Sequence, residues 1–174
     1  YLPYQRPPLS KAYLLDKIDF SRLFLKQKNY YHEQKIRLRL GTKIHSIDRD
    51  KKNIRSGSEQ FSYDSLILAT GSKANKLPIR ITNDVKNIFS IRSINDVNSL
   101  KRKFSVAKTV LIIGGGYIGL EAAAVCAEKG LKVKLVEAGE RILQRVACKE
   151  TSDYLKKVHI SKGVEICEKL SVET

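Results

Sequence analysis

The sequence predicts an α/β fold, an incomplete parallel sheet with flanking helices that also carries an antiparallel β insertion. Three observations predict it. A short, mostly β-branched run, Val110 to Ile113, leads straight into glycines at 114, 115, 116 and 119 and then a helical run, Leu120 to Glu128. A second apolar run, Val133 to Val136, ends on Glu137. From residue 36 to 69, by contrast, short alternating or apolar segments are divided by polar turns, as antiparallel strands are.

Taken in order, Pro7 and Pro8 fix an extended approach, and Ser10 is placed to cap a short helix through Leu15. Asp19 to His32 reads as a second, irregular helical region. Ile36, Leu38 and Leu40 alternate with Arg37 and Arg39 in a half-buried strand pattern that Gly41 breaks. Ile44 to Ile47 begins another strand, Asp50 to Gly57 is a polar, lysine-bearing turn, and Phe61 and Tyr63 start the next strand. Leu66 to Ala69 is an apolar run, expected to be buried, that ends in Thr70-Gly71-Ser72. Residues 72 to 87 are loop-like and include Pro78 and Asn83-Asp84. Ser93 to Phe104 is a helix candidate with Ile94, Val97, Leu100 and Phe104 on one face.

Val110 to Ile113 is continuous enough to predict a strand buried on both faces. The helix after it stops at Gly130, a residue suited to the left-handed position beyond a helix end. Beyond Glu137 a charged loop carries Arg141 and Arg145, followed by a helix over Thr151 to Ile160 and a strand at Val164 to Ile166. No internal repeat or low-complexity segment interrupts this order.

The glycine spacing G-x-G-x-x-G carries chemistry because each position has a physical task. Gly114 permits the tight turn from strand to helix, Gly116 lets backbone approach a pyrophosphate, and Gly119 lets helix and strand pack closely. The N–H groups opening the helix at Tyr117 and Ile118 then face the phosphates. Glu137, about twenty residues past the last glycine, is placed to accept hydrogen bonds from adenosine ribose hydroxyls. Its charge would repel a 2′-phosphate, which favours NAD over NADP. The fold class is therefore Rossmann-like, a dinucleotide-binding fold.

Composition narrows the partners. The formal net charge is +15, and residues 1–109 hold 23 Lys/Arg against 9 Asp/Glu, where residues 110–174 hold 10 against 9. The basic residues are scattered singly through amphipathic segments, so an anionic cofactor or an acidic protein is expected and nucleic acid is not. No apolar run reaches the roughly 18 residues of a membrane span, and no signal-peptide pattern opens the chain. Cys126, Cys148 and Cys167 lie far apart, arguing against a metal ribbon or a redox dithiol and for reduced thiols in the cytoplasm. No metal ligand set is expected. The three histidines, His32, His45 and His159, are read as structural or exposed. A chain without methionine that begins at Tyr1 is expected to be a piece of a longer protein.

Four segments in order, Arg6-Pro7-Pro8-Leu9-Ser10-Lys11, LILATGS at 66–72, IGGGYIGLEAAA at 113–124 and RILQRV at 141–146, carry a resemblance. The sequence resembles the pyridine nucleotide-disulfide oxidoreductase superfamily, and within it the FAD-dependent ferredoxin reductases of the putidaredoxin and rhodocoxin reductase type. The resemblance implies a partial FAD-binding domain over 1–93 and a partial NAD-binding domain over 94–174. It implies hydride transfer from NADH to FAD, and single-electron transfer onward to an acidic [2Fe–2S] ferredoxin. Arg6 and Lys11 would approach the flavin, with Lys11 near its reactive edge and Glu121 pairing with Lys11 from the NAD side. Ile44 would contact the FAD adenosine, Ala69, Thr70 and Gly71 would turn tightly against the cofactor, and Arg92 would lie close to FAD. Arg145 would reach the adenine ribose beside Glu137. The family's first glycine fingerprint would lie before Tyr1, and its last FAD strand and interface domain beyond Thr174. Other reductases of the superfamily stay open as readings, namely rubredoxin reductase, the flavin portion of nitrite reductase and NADH oxidase. So does a dinucleotide-binding fragment without turnover.

Overall fold

A computed structural model describes residues 1–75, 77, 85 and 87–172. The predictions made for Pro78 and for Asn83-Asp84 lie outside these residues. The chain forms two compact units, one of Tyr1–Tyr4 with Phe24–Lys73, the other of Gln5–Leu23 with the described residues from Ala74 onward. Neither unit is continuous in sequence, because Gln5–Leu23 packs with the later residues.

The first unit holds helix α1 (Lys28–Glu33) and an antiparallel meander of β1 (Ser46–Asp48), β2 (Asn53–Ser56) and β3 (Glu59–Ser62). Ile47 lies opposite Ile54, and Ile54 opposite Phe61, so one apolar rung crosses all three strands. The turns between them use Lys52 at φ +45° and Gly57 at φ +59°. The antiparallel insertion is thus present, with three corrections. Half of the expected Asp50–Gly57 turn is β2, because Asn53 to Arg55 pairs on both sides and Ser56 with Glu59. Ile36 to Leu40 forms no strand despite its alternation, and Ile36 and Leu40 are half exposed. Leu66 to Ala69 is not buried: no strand among the described residues pairs with it, and Ile67 is 88 % exposed.

The second unit is built on a parallel sheet of β4 (Thr109–Ile113), β5 (Lys132–Glu137) and β6 (Val164–Glu168), paired in chain order. Helix α3 (Tyr117–Glu128) connects β4 to β5, and α4 (Lys149–Ser161) connects β5 to β6. Leu120, Ala123 and Cys126 of α3 close the core on Val133, Leu135, Ile142, Leu143 and Val164. Burial pushes the Cys126 thiol up to about 11, as befits a small core residue. α3 ends as predicted: Gly130 takes φ +78°, its N–H donates to Ala127, and the Leu131 N–H donates to Cys126 at 3.0 Å. β4 corrects the expectation of a strand buried on both faces. Among the described residues it pairs on one side only, with β5, and Leu111 and Ile113 are exposed.

Helix α2 (Ile94–Phe104) begins on a reciprocal cap, where the Ser93 hydroxyl accepts from the Asp96 N–H and Asp96 accepts from the Ser93 N–H. Gln5–Leu23 contains 3-10 turns at Pro7–Ser10 and Phe20–Leu23 rather than the expected helix from Ser10 to Leu15. Leu9, Leu14 and Leu23 are buried, and the Tyr13 hydroxyl donates to Asn98 of α2 at 2.7 Å. Asp16 pairs with Lys101 at 2.5 Å and Lys129 at 2.9 Å, joining this segment to α2 and the end of α3.

Candidate functional site

The glycine loop between β4 and α3 is where sequence and geometry coincide most closely. Gly114 makes the turn at φ +105°, and its N–H donates to the Val136 carbonyl at 2.8 Å. A Cβ on Gly119 would overlap the Gly114 carbonyl oxygen, so α3 can lie this close to the loop only with glycine there. At Gly116 the opposite holds: nothing lies within 4 Å of where a Cβ would stand. Beside that open space α3 begins with no side-chain cap, and Tyr117 and Ile118 are half exposed. Its first-turn N–H groups and the positive end of its dipole are therefore free to meet an anion.

Glu137 braces this loop. Its Oε2 accepts from the Gly115 N–H at 2.6 Å and its Oε1 from the Gly139 N–H at 2.7 Å. A carboxylate has about four acceptor positions, so about two remain for ribose hydroxyls. The Gly115 carbonyl accepts from the Leu143 N–H at 2.9 Å, which ties the glycine loop to the segment after β5. Arg141 fixes that segment by donating to the Ala147 carbonyl at 2.9 Å and to the Ser152 hydroxyl, and Ser152 donates to the Ile142 carbonyl at 2.7 Å.

One turn into α3, Glu121 meets Lys11. Their ion pair is 2.8 Å long, and the second carboxylate oxygen accepts from the Ser10 hydroxyl at 2.5 Å. Ser10 is buried, whereas Lys11 keeps half its side chain exposed. As a stabilising contact the pair is worth about 0–1 kcal/mol. Its interest is placement: it sets an ammonium group beside the helix that the glycine loop opens.

The whole chain, residues 1–174, matches the family model described as pyridine nucleotide-disulphide oxidoreductase. The chain belongs to this family. Among its relatives, the 5,5′-dehydrodivanillate O-demethylase ferredoxin reductase subunit of Sphingobium is 38 % identical over 165 residues, covering 94 % of this chain and 40 % of that protein. Rhodocoxin reductase of Rhodococcus erythropolis is 36 % identical over 174 residues, covering 99 % and 40 %. In a crystal structure of the covalent putidaredoxin reductase–putidaredoxin complex, a chain 34 % identical superposes with a TM-score of 0.93 over 99 % of this chain and 42 % of that one. The chain thus spans about 40 % of the length of the curated relatives it matches.

Within this family frame, the fold brings Gly114, Gly116, Gly119, Tyr117, Ile118 and Glu137 around one loop, with Lys11 and Glu121 paired beside the same helix. Arg6 is exposed at the start of the first 3-10 turn, Arg92 is half-buried just before α2, and Arg145 is exposed after β5. Ile44, Ala69, Thr70 and Gly71 lie in the first unit, all exposed, with Gly71 at φ +68°. Sequence reasoning missed three contributors. Ser10 was read as a helix cap, but its hydroxyl is spent on Glu121. Arg141, expected in a charged loop and as the first residue of RILQRV but given no role there, clamps the loop after β5. Glu168 went unremarked, although β6 ends on an acid just as β5 does and the two glutamates are in register.

Among the described residues no helix is long and apolar enough to cross a membrane, and no group of three or more His, Cys, Asp or Glu could hold a metal ion.

Proposed function

We propose that this chain is part of an NADH-dependent FAD flavoprotein reductase that supplies electrons to a [2Fe–2S] ferredoxin. The observation that carries the reading is the Lys11–Glu121 pair set on the helix that the glycine loop opens. It joins a redox-site cation to a dinucleotide cradle in a single unit. Bound FAD would supply the chemistry, accepting a hydride from NADH and passing electrons singly to the acceptor.

The residues of the β4–α3 loop fit the NAD that would deliver the hydride. The space at Gly116 would take a pyrophosphate that any Cβ would crowd, and the uncapped first turn of α3 would hold its charge. Glu137 would use its remaining lone pairs on the adenosine ribose of NAD, with Arg145 nearby in sequence. Lys11, held by Glu121, would stabilise negative charge developing on the reduced ring. Arg6 and Arg92, and in the first unit Ile44 and Ala69-Thr70-Gly71, are proposed FAD contacts. Residues 1–93 are assigned to the FAD-binding domain and 94–174 to the NAD-binding domain. The surplus of Lys/Arg in residues 1–109 suits an acidic ferredoxin. A cytoplasmic location accords with three free cysteines.

The test is a visible spectrum of the purified protein with FAD, before and after anaerobic NADH or NADPH. A flavin band bleached faster by NADH, with electrons then passed to a [2Fe–2S] ferredoxin in a salt-dependent way, is expected. FAD and NADH both failing to bind the chain restored to its relatives' length would overturn the reading. Reduction of a rubredoxin in preference to a ferredoxin would move the assignment to the rubredoxin reductases.

A further inference from the structure

Gly115, the residue between the fingerprint glycines 114 and 116, is held on three sides. Its N–H goes to Glu137, its carbonyl to the Leu143 N–H, and the Ile142 side chain packs against its Cα, close enough that a Cβ there would come within 2.7 Å of Ile142 Cγ2. Two of these three contacts come from Ile142 and Leu143, and Leu143 sits in the left-handed region at φ +54°. A backbone shape of this kind persists only where its surroundings impose it.

Glu168 is what imposes it from the sheet. Its Oε1 accepts from the Ile142 N–H at 2.9 Å, and its Oε2 pairs with Lys156 of α4 at 2.5 Å. Its side chain is only 15 % exposed and that of Lys156 33 %, so both contacts are partly shielded from water. The next residue along continues the attachment, since the Lys169 N–H donates to the Gly139 carbonyl at 3.0 Å. Glu137 and Glu168 thus end neighbouring strands and hold the two walls of the same loop pair.

We propose that Glu168, held by Lys156, is a positioning residue for the dinucleotide site: it fixes Ile142 and Leu143, which in turn fix the Gly115 peptide that shapes the pyrophosphate cradle. This rests on the dinucleotide reading above. The role asks for no contact between Glu168 and the nucleotide: its effect would reach the ligand through the loop.

The test compares wild type, Glu168→Ala and Glu168→Gln for NADH and ADP-ribose affinity, and for amide hydrogen exchange at residues 114–116 and 142–143 without ligand. Glu168→Ala is expected to weaken both ligands by about tenfold or more and to speed exchange at those amides. Glu168→Gln keeps an acceptor for the Ile142 N–H and should stay within about threefold of wild type. Should Glu168→Ala not fold, Glu168→Asp takes its place, keeping the charge but withdrawing the acceptor by one methylene, with the same direction expected. Wild-type affinity and exchange in the alanine or aspartate variant would overturn the proposal, as would equal losses in Ala and Gln. A loss confined to NADH and absent for ADP-ribose would also overturn it. If wild type binds neither ligand, the dinucleotide reading falls, and the positioning role for that ligand falls with it. The exchange measurement then still reports separately whether Glu168 holds the loop.

Discussion

Two apolar runs in this chain look alike on paper and behave in opposite ways. Val133 to Val136, interrupted only by Lys134, and Leu66 to Ala69 are both short, mainly hydrophobic segments followed by polar or glycine-bearing turns. The first is central β5, paired on both edges, with Val133, Leu135 and Val136 all buried. The second has no strand partner among the described residues, and Ile67 and Leu68 are 88 % and 66 % exposed. Hydrophobicity states what a segment would gain from burial. Whether it is buried depends on a partner elsewhere in the chain.

The widest test of that contrast is truncation on each side of it. Leu135→Ala should cost about 2–5 kcal/mol in denaturant unfolding, whereas Ile67→Ala should stay within about 0.5 kcal/mol. A comparable loss at Ile67 would show that its run is covered after all. A second contrast lies between two glycines of one loop. Gly119→Ala pushes a methyl into the Gly114 carbonyl and should cost about 1–3 kcal/mol, while Gly116→Ala should leave the melting temperature near wild type and weaken NADH binding.

A third experiment separates stability from chemistry at the ion pair. Lys11→Met should lower the rate of flavin reduction by about tenfold or more, yet change stability by less than about 1 kcal/mol; a proportionate loss of both would make Lys11 a structural residue. The smallest effect concerns Asp16, whose carboxyl is held below its usual 3.8, first by the hydrogen bond from Lys101 and next by that from Lys129. Because the folded-state value is the lower one, its contribution is complete above about 3.8 and is lost as pH falls through the folded value. Half-exposed, it is worth under about 1 kcal/mol. The gap in melting temperature between wild type and Asp16→Asn should therefore close on acidification below pH 3.8.

The legible parts of the fold are those whose cause is local. Val110 to Glu137 announced itself because turn, helix start, helix end and second strand each depend on residues a few positions apart, and Gly114, Gly119 and Gly130 do what their spacing says. The Ile36–Leu40 alternation misled because a period of two records only that a strand could be half-buried. The β2 strand hid under polar residues, since Asn53 to Ser56 is chosen by its neighbours on both sides and not by its own hydrophobicity. At the site, the glycines and the Lys11–Glu121 pair could be named, the pair through family resemblance. Ser10, Arg141 and Glu168 could not, because each acts on a residue at least six positions away through a hydrogen bond that composition does not record.

The order β4, β5, β6 has a consequence for synthesis. Among the described residues, every strand of the sheet pairs with the one made just before or after it, and the core joining them draws on residues between Phe104 and Ile166. Such a unit has low contact order and can close soon after it leaves the ribosome. Leu9, Leu14 and Leu23 have no such neighbour: the segment that carries them emerges long before α2 and α3 exist to receive it. During translation the apolar side chains of Gln5–Leu23 therefore wait uncovered until α2 and α3 are made, longer than those of the glycine-rich segment wait for their own neighbours.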